Sequence, residues 1–436
     1  MHRHSRLNND APNNAWWRLL MRALGSRNYR LFFEGQLVSL IGTWMTRVAT
    51  SWLVYRLTHS AFLLGFTGFA GQVPVFFLTP IAGVWVDRWN RHRALVVTQT
   101  LSMMQSFALA ALALGGIIRV WEIIVLVLLQ GAINAFDMPV RQSFVVQMIE
   151  RREDLGNAVA LNSSMVNGAR LIGPAIAGVL IAAVGEGYCF LIDGFSYMAV
   201  IASLLAMRIT AGPPRAQRRH LRIELAEGWR YVAESAPIRS VLLFLALVSL
   251  VGMPYTVLMP IFAGAILHGK AHTLGFLMAA AGLGALVGAV TLAMRPSVPG
   301  LGRIIVWSAS LFGIGLIGLG LSRHLTLSFA AVAVAGFGMM RHMASSNTIL
   351  QTIVAEDKRG RVMAYYAMAI QGVAPFGSLI AGALAAKVGA PRTIMGGGAL
   401  CLAGAAVFGW RLPRLRRAMR PIYVELGILP QAESPE

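Results

Sequence analysis

The sequence predicts an all-α membrane protein of twelve transmembrane helices in two pseudo-symmetric six-helix bundles. Three observations predict it. Of 436 residues, 56% are hydrophobic and only 13% are charged. Apolar runs long enough to cross a bilayer recur along the whole chain, and the second half repeats words of the first in register. A soluble chain carries roughly a quarter charged residues, so this one has too little polar surface to face water all round.

A span needs ~20 mostly apolar residues, because a rise of about 1.5 Å per residue must cover roughly 30 Å of hydrocarbon. In chain order the spans are 32–55, 61–85, 94–115, 121–148, 158–184, 188–208, 239–264, 272–294, 304–321, 325–350, 362–387 and 391–411. The domains follow: a segment 1–31, a first bundle 32–208, a linker 209–238, a second bundle 239–411 and a basic tail 412–436. The linker holds Pro213, Pro214 and five arginines. Within it Ile223, Ala226, Trp229 and Ala233 recur at helical spacing, which predicts a helix lying on the membrane surface.

The net charge of +20 would suggest nucleic acid in a soluble chain. Its distribution points elsewhere. With the N-terminus inside, 28 of the 38 Lys and Arg fall on the cytoplasmic side, against Arg56, Arg119, Lys270, Arg323, Lys387 and Arg392 opposite. That bias predicts a multi-pass protein of the inner (plasma) membrane with both termini cytoplasmic, and anionic lipid rather than nucleic acid as the partner of the charge. The basic start runs into an apolar stretch too long and too tryptophan-rich for a cleaved leader. Cys189 and Cys401 sit in apolar runs and read as small buried hydrophobes.

The repeat is specific. Leu37-Val38-Ser39-Leu40-Ile41-Gly42 returns 210 residues later as Leu247-Val248-Ser249-Leu250-Val251-Gly252, and Leu64-Gly65-Phe66 returns as Leu274-Gly275-Phe276. At an offset of 204, Gln147, Gly156, Gly168, Gly173, Ala177, Gly178 and Gly185 match Gln351, Gly360, Gly372, Gly377, Ala381, Gly382 and Gly389. Several glycines in one gapless register imply two bundles of the same orientation, as in parallel-repeat transporters with a site between the halves.

After the second span the chain reads Gly83-Val84-Trp85-Val86-Asp87-Arg88-Trp89-Asn90-Arg91. This resembles the loop between helices 2 and 3 of the major facilitator superfamily, G-x-x-x-D-R-x-x-R, and the six-plus-six layout extends the resemblance over the whole chain. Asn90 and His92 depart from the residues commonest there, and the equivalent loop of the second half has no acid. The resemblance implies a conformational latch of Gly83, Asp87, Arg88 and Arg91. Its carboxylate would sit by the start of helix 11, near Arg361 and Val362, where a helix N-terminus favours an anion by ~0.3–1 kcal/mol. Such a latch biases a two-state equilibrium without locking it. The alternative is a basic loop that only anchors topology.

In the fifth span Arg170, Gly173, Pro174 and Gly178 resemble the glycine-proline motif of the superfamily's exporters; close helix packing explains the same residues. Gly42-Thr43-Trp44-Met45, Ser51-Trp52-Leu53-Val54-Tyr55, Glu227-Gly228-Trp229-Arg230-Tyr231-Val232 and Arg359-Gly360-Arg361-Val362-Met363 resemble the enterobactin-exporter-type, or transmembrane secretion effector, branch. That branch includes siderophore exporters and macrolide efflux proteins, so the resemblance implies export. Arg47 stands where relatives often carry an uncharged polar residue.

A charge at the bilayer centre costs ~2.5–3.5 kcal/mol even on forgiving scales. Glu34, Asp137 and Asp193 fall within spans. Glu34 and Asp193 read as lying near span ends, whereas Asp137 is deeper, with Arg141 one turn on. Asp137 is either half of a structural ion pair or a titrating coupling site. The resemblance implies a cavity lined by helices 1, 4, 7 and 10, with Trp44, Arg47, Gln130, Asp137, Arg341 and His342 as candidates for lining it or for coupling to protons. The segment Gly264 to Ala271 has the outline of a phosphate loop but lacks its final Ser or Thr and follows no strand. No enzymatic machinery, metal-ligand spacing or cofactor fingerprint is visible.

The expected function is secondary active transport by alternating access, a proton-coupled export of a small siderophore- or drug-like organic molecule by a monomer without cofactors. An importer or uniporter, a lipid flippase and a non-transporting signalling protein are the alternatives on the same fold.

Overall fold

A computed structural model describes residues 21–86, 89–208, 221–295 and 297–430. Twelve of its helices are long and apolar enough to cross a membrane. They are α1 (Arg27–Thr58), α2 (Ala61–Val86), α3 (Arg91–Leu114), α4 (Val120–Met148), α5 (Leu155–Val184) and α6 (Glu186–Leu205), then α7 (Ala236–Ile266), α8 (Ala271–Ala293), α9 (Leu301–Leu321), α10 (Leu325–Ile353), α11 (Glu356–Val388) and α12 (Ala390–Glu425). No strand occurs among the described residues.

The packing itself repeats. In the first bundle α1 packs on α6, α2 on α4, and α3 on α4 and α6; in the second, α7 packs on α12, α8 on α10, and α9 on α10 and α12. The halves meet where α5 lies along α8 and α11 along α2. Advancing each helix number by six maps one seam onto the other, as a twofold relation of two parallel repeats requires.

An even number of spans puts both chain ends and the linker at one end of the molecule, here the linker end. Arg22 pairs with Asp154 at 2.5 Å and the Asn28 amide donates to the Arg208 carbonyl at 2.9 Å, fastening the start of α1 to the loops beside it. At the far end Arg56 grips Glu186 through two bonds of 2.8 and 3.1 Å.

Proline decides where the helices break. Gly252 and Pro254 interrupt α7 after Val251, and a wide turn at Phe262–Ile266 follows Pro260. A second wide turn, Met368–Gly372, divides α11 just before Pro375, whose ring nitrogen cannot bond the preceding turn. Gly264 thus lies in a turn of a membrane helix, with no phosphate loop around it.

The end of the last helix differs from the sequence reading. The helix of α12 does not stop at 411 but continues to Glu425, because Leu412, Leu415, Met419 and Tyr423 recur at helical spacing and are buried. The expected linker helix is present at Leu221–Glu234, with Trp229 exposed and its ring 6.1 Å from that of Tyr365 of α11 at a tilt of 49°. Cys189 and Cys401 are buried and unbonded.

Candidate transport site

The seams are built from glycine. A Cβ added to Gly275 would lie 2.4 Å from the Pro174 carbonyl and 2.7 Å from the Gly178 Cα. On the other seam a Cβ on Gly65 would lie 2.5 Å from the Ser378 carbonyl and 2.7 Å from the Gly382 Cα. These glycines lie toward the far end, so the halves are closed against each other there. Toward the linker end, Gly156, Gly168 and Gly360 have nothing within 4 Å of an added Cβ. Exposed Ser164 and Thr348 there bond only carbonyls one turn back on their own helices. A polar face without partners at membrane depth lines water rather than lipid.

Where the seam meets α1 lies Trp44. A Cβ added to Gly173 would lie 2.6 Å from the Trp44 Cβ, so glycine there lets α5 approach α1 closely. The Arg47 guanidinium lies 4.8 Å and that of Arg170 5.8 Å from the Trp44 ring centroid. Arg47 is exposed. It lies nine residues from Val38, which lines an apolar groove of about 410 Å³ between α1, α5 and α6. Nine residues at about 100° each place Arg47 on the opposite face from that groove.

The other candidates divide between the two bundles, with Gln130 and Arg341 half-buried and Asp137 and His342 buried. Asp137 is 2% exposed; Arg141 pairs with it, and Thr98 and Gln99 donate to it at 2.8 and 2.7 Å. Gln130, two turns away on the same face of α4, donates to Ser102 and Asn134. Arg341 lies over the Phe337 ring at 5.2 Å and packs beside Gly288 of α8. His342 is fully buried, edge-on to Phe244 of α7, and so lines no opening in this conformation.

The latch falls partly outside the described residues. Gly83 is in the last turn of α2, and Asp87 and Arg88 are not among the residues described. Arg91 opens α3, where the Asn90 side chain caps the helix by accepting from the Arg93 N–H at 3.1 Å. That bond explains asparagine at a position the superfamily commonly gives to glycine. At the start of α11, Arg361 pairs with Glu227 of the linker helix at 2.7 Å.

Asp193 is the buried acid that the sequence reading did not single out. It is 1% exposed, and its Oδ2 accepts from Thr46 of α1 at 2.8 Å and Ser106 of α3 at 2.9 Å. The Ser196 hydroxyl lies 3.4 Å from its Oδ1. The missed signal was α3 itself. Thr98, Gln99, Ser102, Gln105 and Ser106 recur at helical spacing and are all buried; Thr98 and Gln99 serve Asp137, Ser102 serves Gln130, Ser106 serves Asp193, and Gln105 donates to the Leu126 carbonyl of α4. A polar stripe on a membrane helix faces buried polar partners, because lipid offers none.

Residues 21–422 match the model of a family described as transmembrane secretion effector. The chain is 26% identical to the staphyloferrin A transporter of Staphylococcus aureus, covering 86% of this chain and 94% of that protein. It is 28% identical to the multidrug efflux pump Tap of Mycobacterium tuberculosis, covering 92% and 96%, and 25% identical to the enterobactin exporter EntS of Shigella boydii, covering 67% and 70%. Among solved structures, a bacterial homologue of the human lysosomal transporter Spinster superposes with a TM-score of 0.68 at 14% identity, covering 91% of this chain and 98% of that one. Two six-helix repeats joined along glycine seams, with a family match spanning both, make this chain a transporter of the transmembrane secretion effector family within the major facilitator superfamily.

Proposed function

We propose that this transporter exports a small organic molecule from the cytoplasm, driven by protons, by alternating access in the inner membrane. The relatives named above include a siderophore transporter, an enterobactin exporter and multidrug pumps, which supports export of a siderophore- or drug-like compound. The basic linker end is the cytoplasmic end, with both termini inside. Gly83, Asp87, Arg88 and Arg91 form the latch, and Trp44, Arg47, Gln130 and Arg341 belong to the faces that contact cargo or its water. His342 reaches that route only in another conformation.

The observation that carries the coupling is the Asp137 site. A carboxylate inside the first bundle is held by one arginine on its own helix and by two donors of α3. In the cycle Asp137 exchanges Arg141 for a proton, so that the two conformations bind protons differently. A permanent pair that braces α4 around Pro139 is the competing role.

Inverted vesicles test both. In Asp137→Asn, efflux driven by a proton gradient fails while gradient-free exchange survives. Equal loss of both assigns the pair to bracing, and movement out of the inverted vesicles, where export appears as accumulation inside them, makes the protein an importer.

A further inference from the structure

We propose that Trp44, Arg47 and Arg170 form a binding site for a soluble organic anion, so that the cargo carries negative charge. The inference rests on the transporter reading and names its substrate class.

Both guanidiniums belong to membrane spans and lie against one indole ring, 4.8 and 5.8 Å from its centroid. No acid forms a salt bridge with Arg47 or Arg170 among the described residues. An arginine at membrane depth ordinarily pairs with an acid or a carbonyl, because leaving it alone is costly. Two of them sharing one ring also repel each other.

The acids within the bundle do not resolve this. Asp137 is committed to Arg141. Asp193 is within electrostatic reach of Arg47, but Thr46, Ser106 and Ser196 surround its oxygens. One carboxylate in any case leaves two guanidiniums with a net positive charge.

What remains is a ligand or water. Arg47 is exposed on the face of α1 away from the apolar groove. Arg170 sits where α5 meets α1 and α8: its carbonyl lies 3.2 Å from the position a Cβ on Gly282 would take. It also acts electrostatically on Tyr255 of α7. A molecule there touches both halves. Planar guanidiniums present paired donors that match a carboxylate or sulfonate, and the indole offers a flat apolar body to a conjugated portion. A cation would meet a net like charge.

The test uses the purified protein in nanodiscs, with citrate and naphthalene-2-sulfonate as anionic probes and tetraphenylphosphonium as the cationic one. Saturable anion binding that weakens with salt is expected. Arg47→Gln and Arg170→Gln each weaken it by about tenfold or more, since charge-assisted bonds are the strong ones. Arg47→Lys keeps part of the affinity, and Arg230→Gln on the linker helix changes nothing. Thermal unfolding of each variant separates lost binding from lost folding.

The proposal is overturned if neither anion binds, if the glutamine variants bind as the wild type does, or if tetraphenylphosphonium competes for the same site. Nanodiscs of phosphatidylcholine alone are compared with ones containing phosphatidylglycerol. Anion binding abolished by the anionic lipid assigns the site to a headgroup and also overturns it. An anion that binds through these arginines yet never moves in vesicles leaves the site standing and sinks the export reading.

Discussion

Gly178 of α5 and Gly275 of α8 pack backbone against backbone, and Gly382 of α11 and Gly65 of α2 repeat that contact on the opposite seam. The four glycines are the same two positions of an internal repeat. Each seam therefore depends on two facing glycines, neither of which has room for a methyl group.

From this follows a population shift. Gly275→Ala forces the new methyl into the Pro174 carbonyl at 2.4 Å; overpacking of this kind costs about 1–3 kcal/mol. The cost falls only on the conformation closed at the far end, so that conformation loses roughly tenfold in population. A cysteine at Val257, which packs against Gly68 across the seam, reports it, because Cys189 and Cys401 are buried. Labelling by an impermeant thiol reagent from the far side should rise in Gly275→Ala. Unchanged labelling would mean that the seam is not the moving contact.

Asp193 ties three helices together, and its substitution should be graded. Asp193→Leu leaves the buried Ser106 hydroxyl and the half-buried Thr46 hydroxyl without this acceptor, at about 1–3 kcal/mol for a fully buried group. Asp193→Asn keeps one acceptor oxygen and loses less. Thermal unfolding in detergent should rank wild type above Asn above Leu. If Asn and Leu were equally unstable, the hydroxyl cage would not be what holds Asp193.

The pair between Arg361 and Glu227 joins the linker helix to the start of α11, with the glutamate half exposed. Exposed pairs contribute about 0–1 kcal/mol. Glu227→Gln should thus leave the melting temperature within measurement scatter. It should still change the transport rate by up to about fivefold, because a stabilisation of that size, present in one conformation, shifts the balance between two. A large fall in melting temperature would make the contact structural instead.

For the latch the expected effect is kinetic. On the proposed latch reading, Asp87→Asn slows transport while abundance in the membrane stays normal, since a carboxylate set by a helix N-terminus, as the resemblance implies, would contribute about 1 kcal/mol or less. Transport at the wild-type rate in a normally abundant variant would remove Asp87 from the cycle.

How much of this was legible in the chain depends on whether a feature is periodic. The spans, the linker helix around Trp229, and the repeat carrying Gly65, Gly178, Gly275 and Gly382 are periodic, and the membrane makes that periodicity strict: apolar length and internal backbone bonding leave a spanning chain no other regular form than a helix. Asp193 was harder to place, because depth along one helix does not say how many neighbours surround it. Its burial is set by α1 and α3, which bring Thr46 and Ser106 from positions 147 and 87 residues away.

The sequence by itself determined the twelve spans, the two repeats and the family, because hydrophobic length, glycine register and the Asp87-Arg88 motif are local patterns. Only the tertiary structure decided which glycines touch, that Asp137 is held by Thr98 and Gln99 as well as Arg141, and that Arg47 and Arg170 both lie against the Trp44 ring. Those relations join residues on different helices. Their distances follow from how side chains of particular size fill the space between helices, and spacing along the chain does not encode that.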